Sequence, residues 1–415
     1  MAEPTGPGVE RELRRTLLWE GLRVCLSRPA AVAAQGNGVL LLVALKHFEA
    51  GGPAKGLVAG ASFIGLMAAP LAVSLAARLG LSVSLGLAGL SLAGAAGLAL
   101  AAVSPSFGGY LAGLLIGLPM AAAVAPLVTV LWRQKLPDAV RGRYFGQVTA
   151  LAGLVGIASS FGIAAWLGDS VAGYRPVLIG LALLLAGAGL AASRIASAPI
   201  AATRRNPYRV LAWLWREPRF GLVNLAWTLL GLGNLAVLPL RVEYLAGASD
   251  GLGYSPRMVL LLTLVVPQAM GFFATLGFGR LFDRFGFVQL RIAVNLLFGL
   301  GILCFFSPSL GMQVAGALLT GAGFGGEAVI WGLWVTQFAP AERTADYMAV
   351  HSFLTGLRGL VGPILAYELV ARGSLIGVTH LAVGLIALSA LLFLGILRTD
   401  GRRSRAPNLD PSGRG

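Results

Sequence analysis

Apolar runs of about 20 residues recur along nearly the whole chain, and they limit its fold more than any other feature. A run of that length, when helical, crosses the hydrocarbon core of a bilayer. The runs lack the two-residue alternation of a barrel strand, and lipid cannot satisfy open backbone groups, so helices are predicted. Only 12% of the residues are charged, against roughly 25% in a soluble domain. The chain is therefore predicted to be an all-α integral membrane protein without a sizeable soluble domain.

Twelve spans are predicted, in two sets of six. Their bounds are 28–48, 56–77, 82–103, 107–131, 146–168 and 174–195, then 220–245, 257–282, 287–307, 310–337, 345–371 and 375–398. The predicted regions are an amphipathic N-terminal segment at 1–27, a six-helix bundle at 28–195, a linker at 196–219, a second six-helix bundle at 220–398 and a disordered basic tail at 399–415.

The placement of basic residues predicts the orientation. Most of the 32 lysines and arginines fall on the side that holds both termini and the linker, and such residues accumulate on the cytoplasmic side of a membrane. Both termini are therefore expected in the cytoplasm, with the protein in the plasma (inner) membrane. Arg358 is the one basic residue placed inside a span. The net charge of +15 is interpreted as an orientation signal, and no nucleic-acid partner is expected.

The two halves of the sequence repeat each other. The loop LPDAVRGRYFG at 136–146 corresponds to APAERTADYMA at 339–349, and the same offset extends into the following spans. The matched residues are Pro137 with Pro340, Tyr144 with Tyr347, and Gly156 with Gly359. A parallel repeat of six spans is the architecture of transporters whose two bundles rock about a central site near the bilayer midplane.

The stretch GRLFDRFG at 279–286, between spans 8 and 9, closely resembles the G-x-L-A-D-R-x-G signature of the major facilitator superfamily. The stretch VSLAARLG at 73–80 holds the corresponding place between spans 2 and 3. The resemblance covers essentially all twelve spans and implies two six-helix pseudo-repeats around a central cavity. The first copy departs from the pattern, with Ala77 in place of the aspartate and Val73 in place of the first glycine. The motif indicates almost nothing about the substrate.

By the same resemblance, the second copy of the motif implies a conformational latch on the cytoplasmic side. Asp283 would face the positive N-terminal end of span 5, with Arg141 or Arg143 as partner, and favour the outward-open state. The alternative is that the charges only end the helix and fix its orientation. The other residues of the predicted latch are Arg284 and the glycines Gly279 and Gly286, which would permit a tight turn. Arg280, Arg284 and Arg291 are also predicted to serve as cytoplasmic anchors.

Glu327 is the one clear acid deep in the predicted membrane, where a charge costs at least about 3 kcal/mol. It lies in span 10, which by the resemblance lines the cavity, and Arg358 of span 11 is its predicted ion-pair partner. Three interpretations remain open. Glu327 carries a coupling proton, with Arg358 tuning its pKa and His351 extending a relay; or the pair is structural; or Glu327 binds substrate directly.

Uncharged polar side chains on the predicted cavity helices are candidates for hydrogen bonds to a substrate. For these residues, hydrogen bonding between helices is an equal alternative. Gln268 follows Pro267 and could instead satisfy the backbone group that the proline frees. The set favours an apolar or weakly polar substrate. The candidates are Gln35, Asn37, Asn234 and Gln268, with Trp331 one turn from Glu327 as their aromatic neighbour.

The expected function is secondary active transport of a small organic solute by alternating access, with proton coupling as one variant. The alternatives are a lipid translocase, or a transporter-like sensor or assembly factor that does not transport. An enzyme is not expected, since the sequence has no nucleophile–base–orienter constellation and no metal-ligand cluster. No cofactor or metal is expected, and the predicted protein is a monomer in the lipid bilayer.

Overall fold

The computed structural model describes residues 7–35, 38–136, 138–200, 206–247, 251–282, 284–334 and 344–403, and these are almost wholly helical. The first half contains α1 Pro7–Gln35, α2 Gly38–Lys46, α3 Gly52–Arg78, α4 Val83–Val103, α5 Phe107–Ala122, α6 Ala125–Lys135, α7 Asp138–Leu167 and α8 Tyr174–Ser193. The turn Pro207–Ala212 and α9 Trp213–Arg216 follow. The second half contains α10 Pro218–Ala246, α11 Pro256–Leu260, a π-helical turn Leu261–Val265, α12 Val266–Phe282, α13 Phe287–Phe305, α14 Leu310–Leu333, α15 Thr344–Arg372 and α16 Leu375–Arg403.

Within the described residues, eleven helices are long and apolar enough to cross a membrane, where α5–α6 and α11–α12 each count as one. The pair α1–α2, bent by 46°, brings the number to twelve when its two helices are counted as one broken span. The predicted all-α fold is confirmed. Local sequence explains several helix starts, because serine side chains accept the first free backbone N–H groups. The N–H groups of Leu85 and Gly109 donate to Ser82 and Ser106, each at 3.3 Å.

The first helix is longer than the first predicted span. Helix α1 runs from Pro7 through the segment predicted as amphipathic and into the membrane domain without a break. Its buried Glu20 accepts two hydrogen bonds of 2.7 Å from Arg23. The indole N–H of Trp132 donates to the same carboxylate at 2.7 Å, which fixes α1 to α6. This part of α1 is therefore held inside the first bundle.

The two copies of the loop motif end differently. Gly80, the last residue of the first copy, has φ +65°, a left-handed conformation that favours glycine. Gly286, its counterpart, has φ −66° and begins α13 in an ordinary extended conformation. A Cβ atom added at Gly279 or Gly286 would meet no atom within 4 Å. The expectation that these two glycines permit a tight turn is therefore wrong, and the first copy is the one that requires its glycine.

The matched glycines of the repeat occupy equivalent places in the structure. Gly156 of α7 lies against Gln268 of α12, and Gly359 of α15 lies against the ring of Phe63 in α3. Each glycine is thus at a seam where a helix of one half meets a helix of the other. The α3–α15 seam is the closer one, because a Cβ on Gly56 would lie only 2.8 Å from the Cα atom of Ile364.

Apart from the seam between α3 and α15, most contacts between the halves lie at one end. Following the predicted orientation, we call the end that carries residues 47–51, 168–173 and 251–255 the outer end, and the opposite end the inner end. At the outer end, α2 packs on α10 and α11, and α7 packs on α11 and the π-helical turn. Extensive packing between the halves at the inner end, within the described residues, is confined to α3, α15 and the turn Pro207–Ala212. The molecule is thus closed at the outer end.

Candidate functional site

Glu327 of α14 forms an ion pair with Arg291 of α13. The indole N–H of Trp227 also donates to this carboxylate, at 3.2 Å, and the Arg291 guanidinium lies 4.8 Å from the centroid of the Trp227 ring. Arg291 Nε donates to Asn295 Oδ1 at 3.0 Å. The predicted pairing of Glu327 with Arg358 is therefore wrong, since Arg291 is the partner.

The ion pair is asymmetric in its exposure. The Arg291 side chain is 0% exposed, whereas the Glu327 side chain is 22% exposed. The prediction that Arg291 anchors the protein in the cytoplasm is wrong, because its side chain, in the second turn of α13, is buried within the bundle. The network continues from Asn295 to Ser389 Oγ at 3.0 Å, and Ser389 donates to the carbonyl of Ala226 at 2.6 Å. These contacts join α10, α13, α14 and α16 in one network. Glu327, the acid of this network, remains partly exposed.

His351 of α15 lies in an aromatic enclosure within the second half. Its ring centroid is 4.3 Å from that of Trp227, 5.1 Å from that of Trp334 and 5.8 Å from that of Trp331. The histidine is fully buried, and neither ring nitrogen has a hydrogen-bond partner among the described residues. The contacts place it beside the Glu327 network without a hydrogen-bonded path to Glu327 or Arg358.

Arg358 is buried in the middle of α15, with 4% of its surface exposed. Its Nη2 atom donates to Thr355 Oγ1 at 2.9 Å, while Nε and Nη1 have no hydrogen-bond partner in the described part of the chain. The side chain packs on Gly231 of α10, where a Cβ atom would overlap it. Arg358 still interacts electrostatically with Glu327. It is a buried cation that makes no direct ion pair with a described acid.

Among the predicted substrate-cavity residues, Gln268 lies between the two halves. Its Nε2 atom is 3.0 Å from the position that a Cβ on Gly156 would occupy, and Arg28 Nε is 3.1 Å from that position. Trp331 is partly buried beside His351. Asn234 is 5% exposed, and its Oδ1 atom has no hydrogen-bond partner among the residues that the structure describes.

Sequence reasoning missed Arg28. The first predicted span starts at Arg28, but no role is predicted for this residue. The structure places its Nε atom, like the amide of Gln268 near the middle of the span Pro256–Phe282, beside Gly156. Arg241 is also buried, and it donates to Thr320 Oγ1 at 3.1 Å. The prediction that Arg358 is the one basic residue inside a span is therefore wrong. The sequence does contain one signal that Arg28 enters the membrane domain, because this residue stands directly before Pro29 and the first apolar run.

Several predicted residues lie outside the described part of the structure. They are Asn37 and Asp283, together with the side chains of Gln35, Arg141 and Arg143. The backbones of these last three residues lie in helices α1 and α7. Arg284 is exposed at the inner end.

Another ion pair lies at the outer end, and this one joins the two halves. Lys55 Nζ of α3 lies 2.7 Å from Glu243 Oε2 of α10, and the two side chains are 10% and 23% exposed. The ammonium group also lies 5.0 Å from the centroid of the Tyr367 ring in α15. The sequence separates these residues widely and offers no signal that they meet. The pair contributes to closing the outer end.

Comparison with known proteins agrees with this architecture. Residues 220–414 match the family model of the Major Facilitator Superfamily. A search of curated protein sequences finds no match. The resemblance carried by residues 279–286 is confirmed: the chain has this superfamily's fold, and its second half carries the family's sequence. The family is one of transporters and not of enzymes.

Solved structures with the same fold cover nearly the whole chain. The nucleoside transporter NupG gives a TM-score of 0.70 at 14% identity, over 94% of this chain and 99% of NupG. A bacterial homologue of the human lysosomal transporter Spinster, inward-facing and occupied, gives 0.68 at 14% identity, over 97% and 100%. The xylose transporter XylE from E. coli, partially occluded and inward open, gives 0.67 at 14% identity, over 93% and 98%. Since NupG and XylE are named for different solutes, the fold does not determine the substrate.

Proposed function

We propose that this multi-pass membrane protein is a secondary active transporter that moves a small organic solute by alternating access. The observation that carries the proposal is the arrangement of contacts between the halves. The outer end is closed by packing of α2 on α10 and α11 and of α7 on α11 and the π-helical turn, while a glycine-rich seam joins α3 to α15 along its length. Two rigid bundles joined in this way can rock and open a central site to each side in turn.

The proposed orientation places both termini in the cytoplasm and the protein in the plasma membrane, as a monomer. The asymmetric distribution of lysine and arginine supports this orientation. In that orientation the closed outer end faces away from the cytoplasm.

Glu327 is proposed to carry the coupling proton. It is an acid inside the membrane domain with 22% of its side chain exposed, so it can exchange protons with accessible space. Arg291 forms an ion pair with its carboxylate, and the indole N–H of Trp227 donates a hydrogen bond to it. In this proposal, protonation of Glu327 releases Arg291 and weakens the network that joins α10, α13, α14 and α16.

Reconstitution and a Glu327→Gln variant test this proposal. A solute screen by thermal stabilisation identifies a ligand, and its flux is then measured in proteoliposomes under an imposed pH gradient. We expect Glu327→Gln to retain binding, to lose the pH dependence of binding, and to lose accumulation against a gradient. Glu368→Gln, which changes an exposed acid on α15, is the matched control. Wild-type pH dependence in Glu327→Gln would exclude Glu327 as the proton site.

The proposed latch at Asp283 predicts a shift between conformations. Because the carboxylate would hold the inner end shut in the outward-open state, Asp283→Asn should shift the resting population toward the inward-open state. Labelling of single cysteines placed on the two sides of the membrane measures the shift, with Asp169→Asn at the outer end as control. Equal labelling in Asp283→Asn and the wild type would remove the latch from the proposal.

A further inference from the structure

A small polar niche lies where the two halves meet. It is formed by Arg28 of α1, Gln268 of α12 and the bare backbone of Gly156 in α7. The Arg28 and Gln268 nitrogens lie 3.1 and 3.0 Å from the point that a methyl group on Gly156 would fill. Both side chains are partly exposed, and Arg28 Nε has no hydrogen-bond partner among the described residues. Two donor side chains from opposite halves thus both pack on Gly156 near mid-membrane.

Charge balance indicates what this niche binds. A guanidinium inside the membrane domain is normally compensated by a carboxylate, because an isolated charge there is costly. Arg28 has no acidic partner among the described residues, and Arg358 is likewise without a direct one. Glu327 is bound to Arg291. The described part of the membrane core therefore holds more positive charge than its acids neutralise.

The donor groups of Arg28 and Gln268 favour an anionic ligand. A guanidinium presents several N–H groups in a planar fork that matches a carboxylate or phosphate, and a glutamine amide adds two more donors. No hydrogen bond joins the Gln268 side chain to the backbone freed by Pro267 among the residues that the structure describes. The absence of a Cβ on Gly156 lets the Gln268 amide and the Arg28 guanidinium both approach this point.

We propose that the transported solute is a small soluble organic anion whose carboxylate or phosphate group binds Arg28 and Gln268 in this niche. The inference rests on the proposed transport function and names its substrate class. It replaces the apolar or weakly polar substrate that the sequence suggests. Because Arg28 and Gln268 come from different halves, the bound anion would bridge them and would be released on one side when the halves separate there.

The test measures binding separately from transport. Thermal stabilisation of the purified protein is recorded with short-chain, dicarboxylic and aromatic carboxylates and phosphate monoesters, each beside its neutral amide or ester. Anionic phosphatidylglycerol and zwitterionic phosphatidylcholine form a second arm. We expect stabilisation by soluble anions and not by their neutral analogues. Arg28→Gln should weaken the best anion about tenfold to a hundredfold, since charge-assisted hydrogen bonds are lost, and Arg28→Lys should retain part of the affinity.

Matched variants separate the niche from general effects on folding. Gly156→Ala adds a methyl group inside the niche without changing charge and should also weaken the anion. Gly162→Ala on the same helix, where a Cβ meets no atom within 4 Å, should not. Arg372→Gln removes an exposed arginine and should leave anion binding unchanged.

The possible outcomes are distinct. Equal stabilisation by anions and neutral analogues, stabilisation by phosphatidylglycerol alone, or undiminished anion binding in both Arg28→Gln and Gly156→Ala would overturn the inference. Flux of a neutral solute without any response to anions would also overturn it, and the transport function would stand. Anion binding that depends on Arg28 without flux of any solute would support the site and overturn the transport function.

Discussion

Replacing Glu243 with glutamine is expected to open the outer end of the protein. The change leaves the Lys55 ammonium largely buried without its carboxylate partner, and this cost falls on the closed state alone. Breaking a partly buried ion pair costs on the order of 1 kcal/mol or more, which corresponds to roughly a tenfold shift between states. With Cys25 and Cys304 replaced by alanine, a cysteine at the buried Leu260 should react with a membrane-impermeant maleimide about ten times faster than in the parent.

Two controls make this expectation specific. Glu49→Gln removes an exposed acid from the same end and should leave the labelling rate unchanged. The exchange Lys55→Glu with Glu243→Lys preserves an ion pair and should return the rate toward that of the parent. A Glu243→Gln protein labelled at the parental rate would show that the pair does not hold the outer end closed.

The Arg291→Gln variant is expected to be the least stable of the substitutions considered. Removal of the guanidinium leaves the Glu327 carboxylate without its main partner, and it also breaks the contacts to Asn295 and the Trp227 ring. Loss of one partner from a buried ion pair costs about 3–5 kcal/mol. Since Glu327 is partly exposed, we expect the lower part of that range. Thermal unfolding in detergent should occur several degrees below that of the parent.

The geometry also predicts which substitutions rescue stability. Arg291→Lys should recover little, because an ammonium group cannot bind Glu327 and Asn295 in a planar fork while it stacks on an indole. Combined Arg291→Met and Glu327→Met should be more stable than Arg291→Gln, since neither side chain then carries an unpaired charge. Arg284→Gln serves as the exposed control. If Arg291→Gln unfolds at the parental temperature, the ion pair contributes no stability.

The sequence was sufficient to predict the fold because lipid leaves few alternatives. Apolar runs had to be helices, and the offset that matched Gly156 with Gly359 indicated a repeat. The structure places both glycines at seams between the halves, which is the arrangement that the repeat implies. The family match over residues 220–414 agrees with the motif at 279–286.

Partners in the membrane core were harder to predict, because the helix rotation that directs each side chain is fixed by packing and not by hydropathy. Arg291 stood near a loop in the sequence and was interpreted as an anchor, yet α13 turns it onto Glu327. Arg28 stood at the boundary of an apolar run, yet the long α1 carries it to Gln268. A window average of hydropathy cannot distinguish these positions from solvated ones.

The seam between α3 and α15 determines how any rocking motion would be distributed. The backbones approach closely at Gly56 and Gly60, and contact continues through Gly356 to the turn that holds Tyr208. A line of contact that persists along the full thickness of the bilayer serves as a hinge axis, because points on it are displaced least. The opposite edge, where α7 faces α12, then travels farthest. A niche on that edge would widen or narrow more than any other part of the molecule during each cycle.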